Sequence, residues 1–270
     1  MKKEYLARMF DIEGAEKVDI LTLEHAFNYV HRGEFDVVLM RVEAQESVDF
    51  WWERQSELGL NRPEYYTGSR NKEITSSKPQ RALGSECNAR PKRYFNSARG
   101  VNSGLRQTPY YTFFERELNV RTLECDQDLE MRIASQCEYP PSTGKHFSFT
   151  PHANSNAYAH AGNCWPVKEN CLQTAAFLTV ESTTNTAGFR IWDYLPESRG
   201  ELDEFIAMHE KDEGRALAFL QQFKSLEINP QEGDLCIFNC RKMHGIPSGN
   251  TLRKTIGSFF IKEDGWRIFN

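Results

Sequence analysis

Gly233-Asp234-Leu235-Cys236-Ile237-Phe238-Asn239 reads as a tight turn feeding a short apolar run. Glycine and aspartate supply turn geometry, and the following residues suit a buried strand. Similar runs lie on either side of it: residues 146–150, 156–160, 174–180 and 188–194 upstream, and 255–262 downstream. Short strands separated by turn residues at this spacing predict a sandwich or jelly roll beyond Pro140-Pro141. One helix is expected inside this region. Over residues 201–223, Leu202, Phe205, Ile206, Leu217, Phe219 and Leu220 recur at helical spacing.

The first half has a different character. Residues 18–30 place Ile20, Leu21, Leu23, Ala26, Phe27 and Val30 at intervals that predict a helix, and residues 47–60 resume that spacing with Val48, Trp51, Trp52 and Leu58. Residues 35–42 read as a strand between them. His25 and His31 are read as surface or packing residues. A further helix is expected within residues 110–133. Residues 59–108 lose all hydrophobic periodicity and hold ten Lys/Arg against three Glu, a basic stretch in a chain of net charge −5. A loop of that length calls for a role, such as a lid over an anionic substrate, or is a solvated surface segment. The expectation is a single domain over residues 1–270, with helices and a long basic loop over 1–135 and the jelly-roll core over 140–265.

Composition excludes several classes. The chain has no apolar run long enough to span a membrane and no apolar segment behind Lys2-Lys3, so a cytoplasmic protein is expected. The net negative charge argues against a nucleic-acid polymer as partner. Seven cysteines without CxxC spacing read as reduced thiols; Cys236 and Cys240 alone make at most half a zinc site.

The chemistry concentrates at two histidines. His160 ends the run Asn156-Ala157-Tyr158-Ala159, and His244 follows the strand that ends at Asn239. Oxygen-activating Fe(II) is commonly held on one face by two histidines and a carboxylate, leaving the other face open. Alternate residues of a strand share a face, so a carboxylate two residues after the first histidine is expected. Gly162 stands there instead. Arg253, nine residues past His244, can bind the distal carboxylate of 2-oxoglutarate through two parallel hydrogen bonds, with Thr255 adding a hydroxyl. Other assignments stay open: a site built on His152 and Asn154 or on His146, a carboxylate drawn from Asp193 or Glu181, and a ligand-binding jelly roll without iron. Tyr158, Trp165, Phe189, Trp192 and Tyr194 are candidates for the walls of a substrate cavity.

His160-Ala161-Gly162-Asn163, Gly233-Asp234 with Phe238-Asn239, His244, and Arg253-Lys254-Thr255-Ile256-Gly257-Ser258-Phe259 resemble motifs of the Fe(II)/2-oxoglutarate-dependent halogenases that act on free-standing small molecules, notably those chlorinating hapalindole-type alkaloids. The resemblance covers about the last 120 residues and leaves residues 1–135 unmatched. It implies a double-stranded β-helix, cupin-like, which with the helical N-terminal half read from periodicity makes an α+β protein. It also implies Fe(II) on His160 and His244, 2-oxoglutarate on Arg253 and Thr255, O2 as oxidant, and chloride in the space left by Gly162. Asn163, Tyr158 and Trp192 would then adjoin the substrate. The implied reaction is chlorination of an unactivated C–H of a small molecule without a carrier protein; the basic stretch over residues 59–108 points to an anionic substrate such as a nucleotide. A hydroxylase or desaturase with the same cofactors is the alternative.

Overall fold

The computed structural model describes residues 2–43, 45–55, 57, 102–125, 129–131, 133–139, 141, 146–154, 172–182 and 188–269. The strands of the first half are β1 (Glu4–Phe10), β2 (Glu16–Thr22), β3 (Val37–Arg41), β4 (Arg121–Thr122), β5 (Glu124–Cys125) and β6 (Leu129–Glu130). Then follow β7 (Ser135–Tyr139), β8 (Phe147–His152), β9 (Gln173–Glu181), β10 (Phe189–Trp192) and β11 (Ser225–Ile228). The chain closes with β12 (Asp234–Phe238), β13 (His244–Pro247), β14 (Arg253–Lys262) and β15 (Trp266–Phe269). The helices are α1 (Leu23–His31), α2 (Gln45–Gln55), α3 (Pro109–Leu118), α4 (Arg199–Lys211) and α5 (Glu213–Leu220).

These strands form a double-stranded β-helix. A nine-stranded sheet runs β2-β1-β3-β12-β9-β14-β15-β4, with β7 also paired to β14, and a four-stranded sheet runs β11-β10-β13-β8. Side-chain alternation decides what each face of the large sheet covers. Ala176, Leu178 and Val180 of β9, Leu235 and Ile237 of β12, and Ile256 and Phe260 of β14 face one way. They pack against Leu23, Ala26, Phe27 and Val30 of α1 and Tyr110, Phe113 and Phe114 of α3. The intervening residues Ala175, Cys236 and Phe238 face the small sheet and meet its Phe189, Ile191 and Ile228. The candidate site lies between the two sheets. Among the described residues no helix is long and apolar enough to cross a membrane.

Several sequence expectations are corrected in detail. The helix expected from residue 18 begins at Leu23, because Glu16 to Thr22 pairs residue for residue with β1. Interstrand hydrogen bonding outweighs the local periodicity there, and Thr22 caps α1 by accepting from the His25 backbone N–H. Strand β1, absent from the sequence reading, alternates exposed residues with buried Tyr5, Ala7 and Met9. The helix expected within 110–133 stops at Leu118, where Asn119 adopts a left-handed conformation (φ 53°, ψ 44°). The helix expected over 201–223 is two helices, divided at Asp212. Its extended backbone ends α4, and its carboxylate accepts from the Arg215 N–H at 3.0 Å to cap α5. The turn before β12 is as read: Gly233 has φ +83°, and a Cβ there would lie 2.3 Å from the Glu43 carbonyl oxygen.

Phe260 anchors the helix-covered face, fully buried, with ring centroids 4.7 Å from Phe27 and 4.9 Å from Phe114. Phe260→Ala is expected to lower unfolding free energy by about 3–5 kcal/mol in urea titration. A loss under about 1 kcal/mol would contradict a core close-packed at this point.

Candidate active site

The small sheet brings two histidines together at one of its ends. β8 terminates in His152, β13 begins with His244, and the antiparallel register sets these residues directly opposite each other. Their rings lie 4.3 Å apart between centroids, tilted by 55°. The next residue of β13 must be small. A Cβ on Gly245 would come within 3.0 Å of the Phe149 carbonyl oxygen and 3.2 Å of Pro151 Cα, so glycine lets β13 approach β8 this closely.

Backbone carbonyls fix how each ring presents its nitrogens. His152 Nδ1 lies 2.8 Å from the Thr150 carbonyl and His244 Nδ1 lies 2.8 Å from the Lys242 carbonyl, each two residues upstream. A carbonyl only accepts, so both Nδ1 atoms carry the proton and both Nε2 atoms keep a free lone pair. The two Nε2 atoms converge on the side-chain amide of Asn154, whose Nδ2 donates at 3.0 Å to His152 and 3.3 Å to His244. Burial pushes the pKa of His152 down to about 4, against the hydrogen bond to Thr150. Burial, reinforced by the neighbouring His152, holds His244 well below its usual range. Two neutral imidazoles aimed at one point are a donor set for a divalent transition metal.

A carboxylate is not part of this group. Among the described residues no three His, Cys, Asp or Glu side chains are placed to hold a metal ion together. Asp193 is 2.8 Å from the Lys242 ammonium and Glu181 is 2.7 Å from that of Lys254, so both are engaged away from the histidines. Asn154 occupies the position two residues after His152 where a carboxylate would complete the usual triad.

A cavity of about 130 Å³ opens beside the histidines, where one water needs roughly 10–15 Å³ by the same measure. Its walls include Phe149, Phe177, Phe189, Phe238 and Phe259, with Thr255 and Tyr139 among the polar residues and no charged side chain among the described residues. Arg253 lies at the start of β14, opposite Tyr139 of β7. It is 2% exposed, its Cζ is 5.2 Å from the Phe177 ring centroid, and Nε, Nη1 and Nη2 have no hydrogen-bond partner among the described residues. Burial lowers its pKa, opposed by Tyr139 and Cys236. An uncompensated buried cation costs several kcal/mol, which an anionic ligand would offset. Thr255 hydrogen-bonds the Tyr139 hydroxyl nearby.

Of the sequence candidates, the structure places His244 and Thr255 on this cavity and Arg253 buried behind Phe177. Trp192 packs instead with Phe147, Phe205 and Met243 in a separate cluster under α4 and α5, and Tyr194 joins it there. Phe189 does line the cavity. His160, Gly162, Asn163, Tyr158 and Trp165 lie outside the described residues, as does most of the basic stretch; Arg106, at its end, pairs with Glu130 at 2.6 Å. His146 contributes only its carbonyl, which accepts from Ser248. Cys236 and Cys240 are buried free thiols. The histidine facing His244 is His152. Its signal was present as His-x-Asn just past a strand-like run, but its spacing to the downstream elements matched less well than that of His160.

No protein-family model and no curated protein matches the sequence. Solved structures do. An N-substituted L-amino acid dioxygenase from Burkholderia ambifaria AMMD superposes with a TM-score of 0.82 at 28% identity, covering 100% of both chains. The chain shares that enzyme's fold. The complex of that enzyme with alpha-KG superposes with a TM-score of 0.81, again at 28% identity over 100% of both chains.

The neutral histidines make stability depend on pH. Between about 4 and the usual 6.5, the unfolded chain protonates His152 while the folded chain does not, so stability falls as pH drops through this window. Urea unfolding of the metal-free protein is expected to show about 2 kcal/mol less stability at pH 5 than at pH 7 from His152 alone. A midpoint unchanged between these pH values would contradict a neutral, buried pair.

Proposed function

We propose that the chain is an oxidoreductase that uses Fe(II), 2-oxoglutarate and O2 to oxidise an aliphatic C–H bond of a small molecule. The observation that carries this reading is the convergence of two Nε2 lone pairs, fixed by backbone carbonyls, at the mouth of a cavity. His152 and His244 would hold the metal, with the Asn154 amide as a third, neutral group. His152 takes the place first assigned to His160, because it is the histidine paired with His244 in the sheet. The metal, when bound, supplies activation of dioxygen at the expense of the 2-oxo acid. Arg253 would bind the distal carboxylate of 2-oxoglutarate, with Thr255 as a hydroxyl donor, which answers the otherwise unpaired guanidinium. The phenylalanine walls exclude water and favour an apolar portion of the substrate beside the metal. The dioxygenase of the same fold is named for N-substituted L-amino acids, and that class is the substrate class proposed here.

The finer reading is halogen transfer, in the sense first attached to Gly162. What supports it is Asn154: with a neutral amide in place of the carboxylate, the donor set adds no negative charge. A divalent metal and Arg253 together then exceed the two charges of 2-oxoglutarate by one, which chloride would balance. Hydroxylation is the second reading, favoured by the dioxygenase of the same fold.

Arg253→Ala is expected to weaken 2-oxoglutarate binding by roughly 30-fold or more, the loss of about 2–5 kcal/mol that follows removal of one partner of a buried charged pair. Anaerobic titration of the Fe(II)–2-oxoglutarate charge-transfer absorption measures it. Unchanged affinity would sink the assignment of Arg253. Turnover with N-substituted amino acids in chloride or bromide, followed by mass spectrometry, separates the two finer readings. A halogenated product supports halogen transfer, and a hydroxylated product indifferent to halide overturns it.

A further inference from the structure

The turn between β12 and β13, residues 239–243, touches both sides of the histidine pair. The Lys242 carbonyl accepts from His244 Nδ1 at 2.8 Å, and the Cys240 carbonyl accepts from the Asn154 backbone N–H at 2.8 Å. The orientation of one imidazole and the placement of the amide between the two imidazoles therefore depend on carbonyls two residues apart in one turn. The turn is closed locally by Lys242 N–H to the Asn239 carbonyl and by Arg241 N–H to Asn239 Oδ1, each at 3.2 Å.

The side chain of Lys242 anchors this turn to both sheets. Its ammonium lies 2.6 Å from Asp36 Oδ1 and 2.8 Å from Asp193 Oδ1. Asp36 immediately precedes β3 of the large sheet, and its second carboxylate oxygen accepts from the Ile12 N–H at 2.9 Å. Asp193 immediately follows β10 of the small sheet, between Trp192 and Tyr194, whose backbones clasp Met243 with hydrogen bonds of 2.8 Å each. Side-chain exposure is 18% for Lys242 and 13% for Asp36, so this arm of the clamp is largely enclosed, while Asp193 at 45% holds the ammonium from the solvent side. An enclosed ion pair breaks even at best against apolar residues of the same volume. Its stronger effect is geometric: three charges fix where the turn sits between the two sheets.

We infer that Lys242 is a positioning residue of the metal site, setting His244 and Asn154 relative to each other through the turn it anchors. This rests on the proposed metal-binding function. Groups that orient metal-binding side chains typically change metal affinity 10- to 100-fold when removed. The clamp belongs to that class although its ammonium never touches the metal position.

The test uses the full chain, stripped of metal and titrated with Co(II), with binding and visible ligand-field absorption recorded in parallel. Lys242→Met, which keeps the length of the stem, is expected to bind Co(II) about 10- to 100-fold more weakly. At saturation its absorption bands should be shifted from those of the wild type. Lys242→Arg should recover most of the affinity and the wild-type bands, because it restores the cation between the two carboxylates. Asp193→Asn, at a half-exposed position that tolerates change, should give a smaller loss of the same kind; it decides the matter if Lys242→Met does not fold by circular dichroism. Wild-type affinity and bands in Lys242→Met, with only a lower melting temperature, would overturn the inference in favour of a purely structural clamp. Failure of the wild-type chain itself to bind Co(II) would overturn the functional reading beneath it.

Discussion

The antiparallel pairing of β8 with β13 is the constraint on which the site depends. It opposes His152 and His244 across two strands, and Gly245 allows the strands to come close enough for the imidazoles to lie within 4.3 Å between centroids. The remaining geometry follows from hydrogen-bond chemistry. A carbonyl two residues upstream of each histidine takes the Nδ1 proton, so both free lone pairs point to the place where the Asn154 amide sits. Strand register, tautomer and donor direction thus derive from backbone atoms, which are the least adjustable part of a sheet.

Around this pair the environment is apolar and unbalanced in charge. Phe149, Phe238 and Phe189 contact the imidazoles with centroid separations of 4.3, 4.9 and 5.9 Å. Low local polarity keeps the rings neutral and strengthens any charge interaction within the cavity. Arg253 is buried beside that same aromatic layer, and its guanidinium has no hydrogen-bond partner among the described residues. Two neutral imidazoles and a buried cation beside one apolar space give that space a positive character that suits an anion.

Much of the core was legible in the chain because its signal is local. Thr174 to Val180, Leu235 to Phe238 and the run from Thr255 to Lys262 are strands close to where apolar runs and turn residues placed them. Arg253 and His244 were singled out by residue type and by their nine-residue spacing, although they stand on β14 and β13 of different sheets. The hairpin of β1 and β2 was not legible, since Val18 to Thr22 has apolar spacing that suits a helix equally well, and only pairing with Glu4 to Phe10 selects a strand. The division of the 199–220 helices turned on one aspartate whose capping role depends on backbone geometry. Trp192 looked like a wall residue from its place beside β10. Its side chain instead faces Phe147 and Phe205, because alternation along the strand directs its neighbour Ile191 toward the large sheet.

The sequence by itself pointed to a jelly-roll core of short strands and supplied histidines of a type that can hold a metal and an arginine of a type that can pair with an anion. These follow from residue type and short-range periodicity, which act whatever the rest of the chain does. Tertiary structure decided which histidine faces His244, because that depends on register between strands far apart in sequence. His152 stands there, and Asn154 rather than a carboxylate comes with it. It also decided that Asp193 serves the Lys242 clamp instead of the histidines, a choice fixed by how two sheets meet and not by any pattern along one strand.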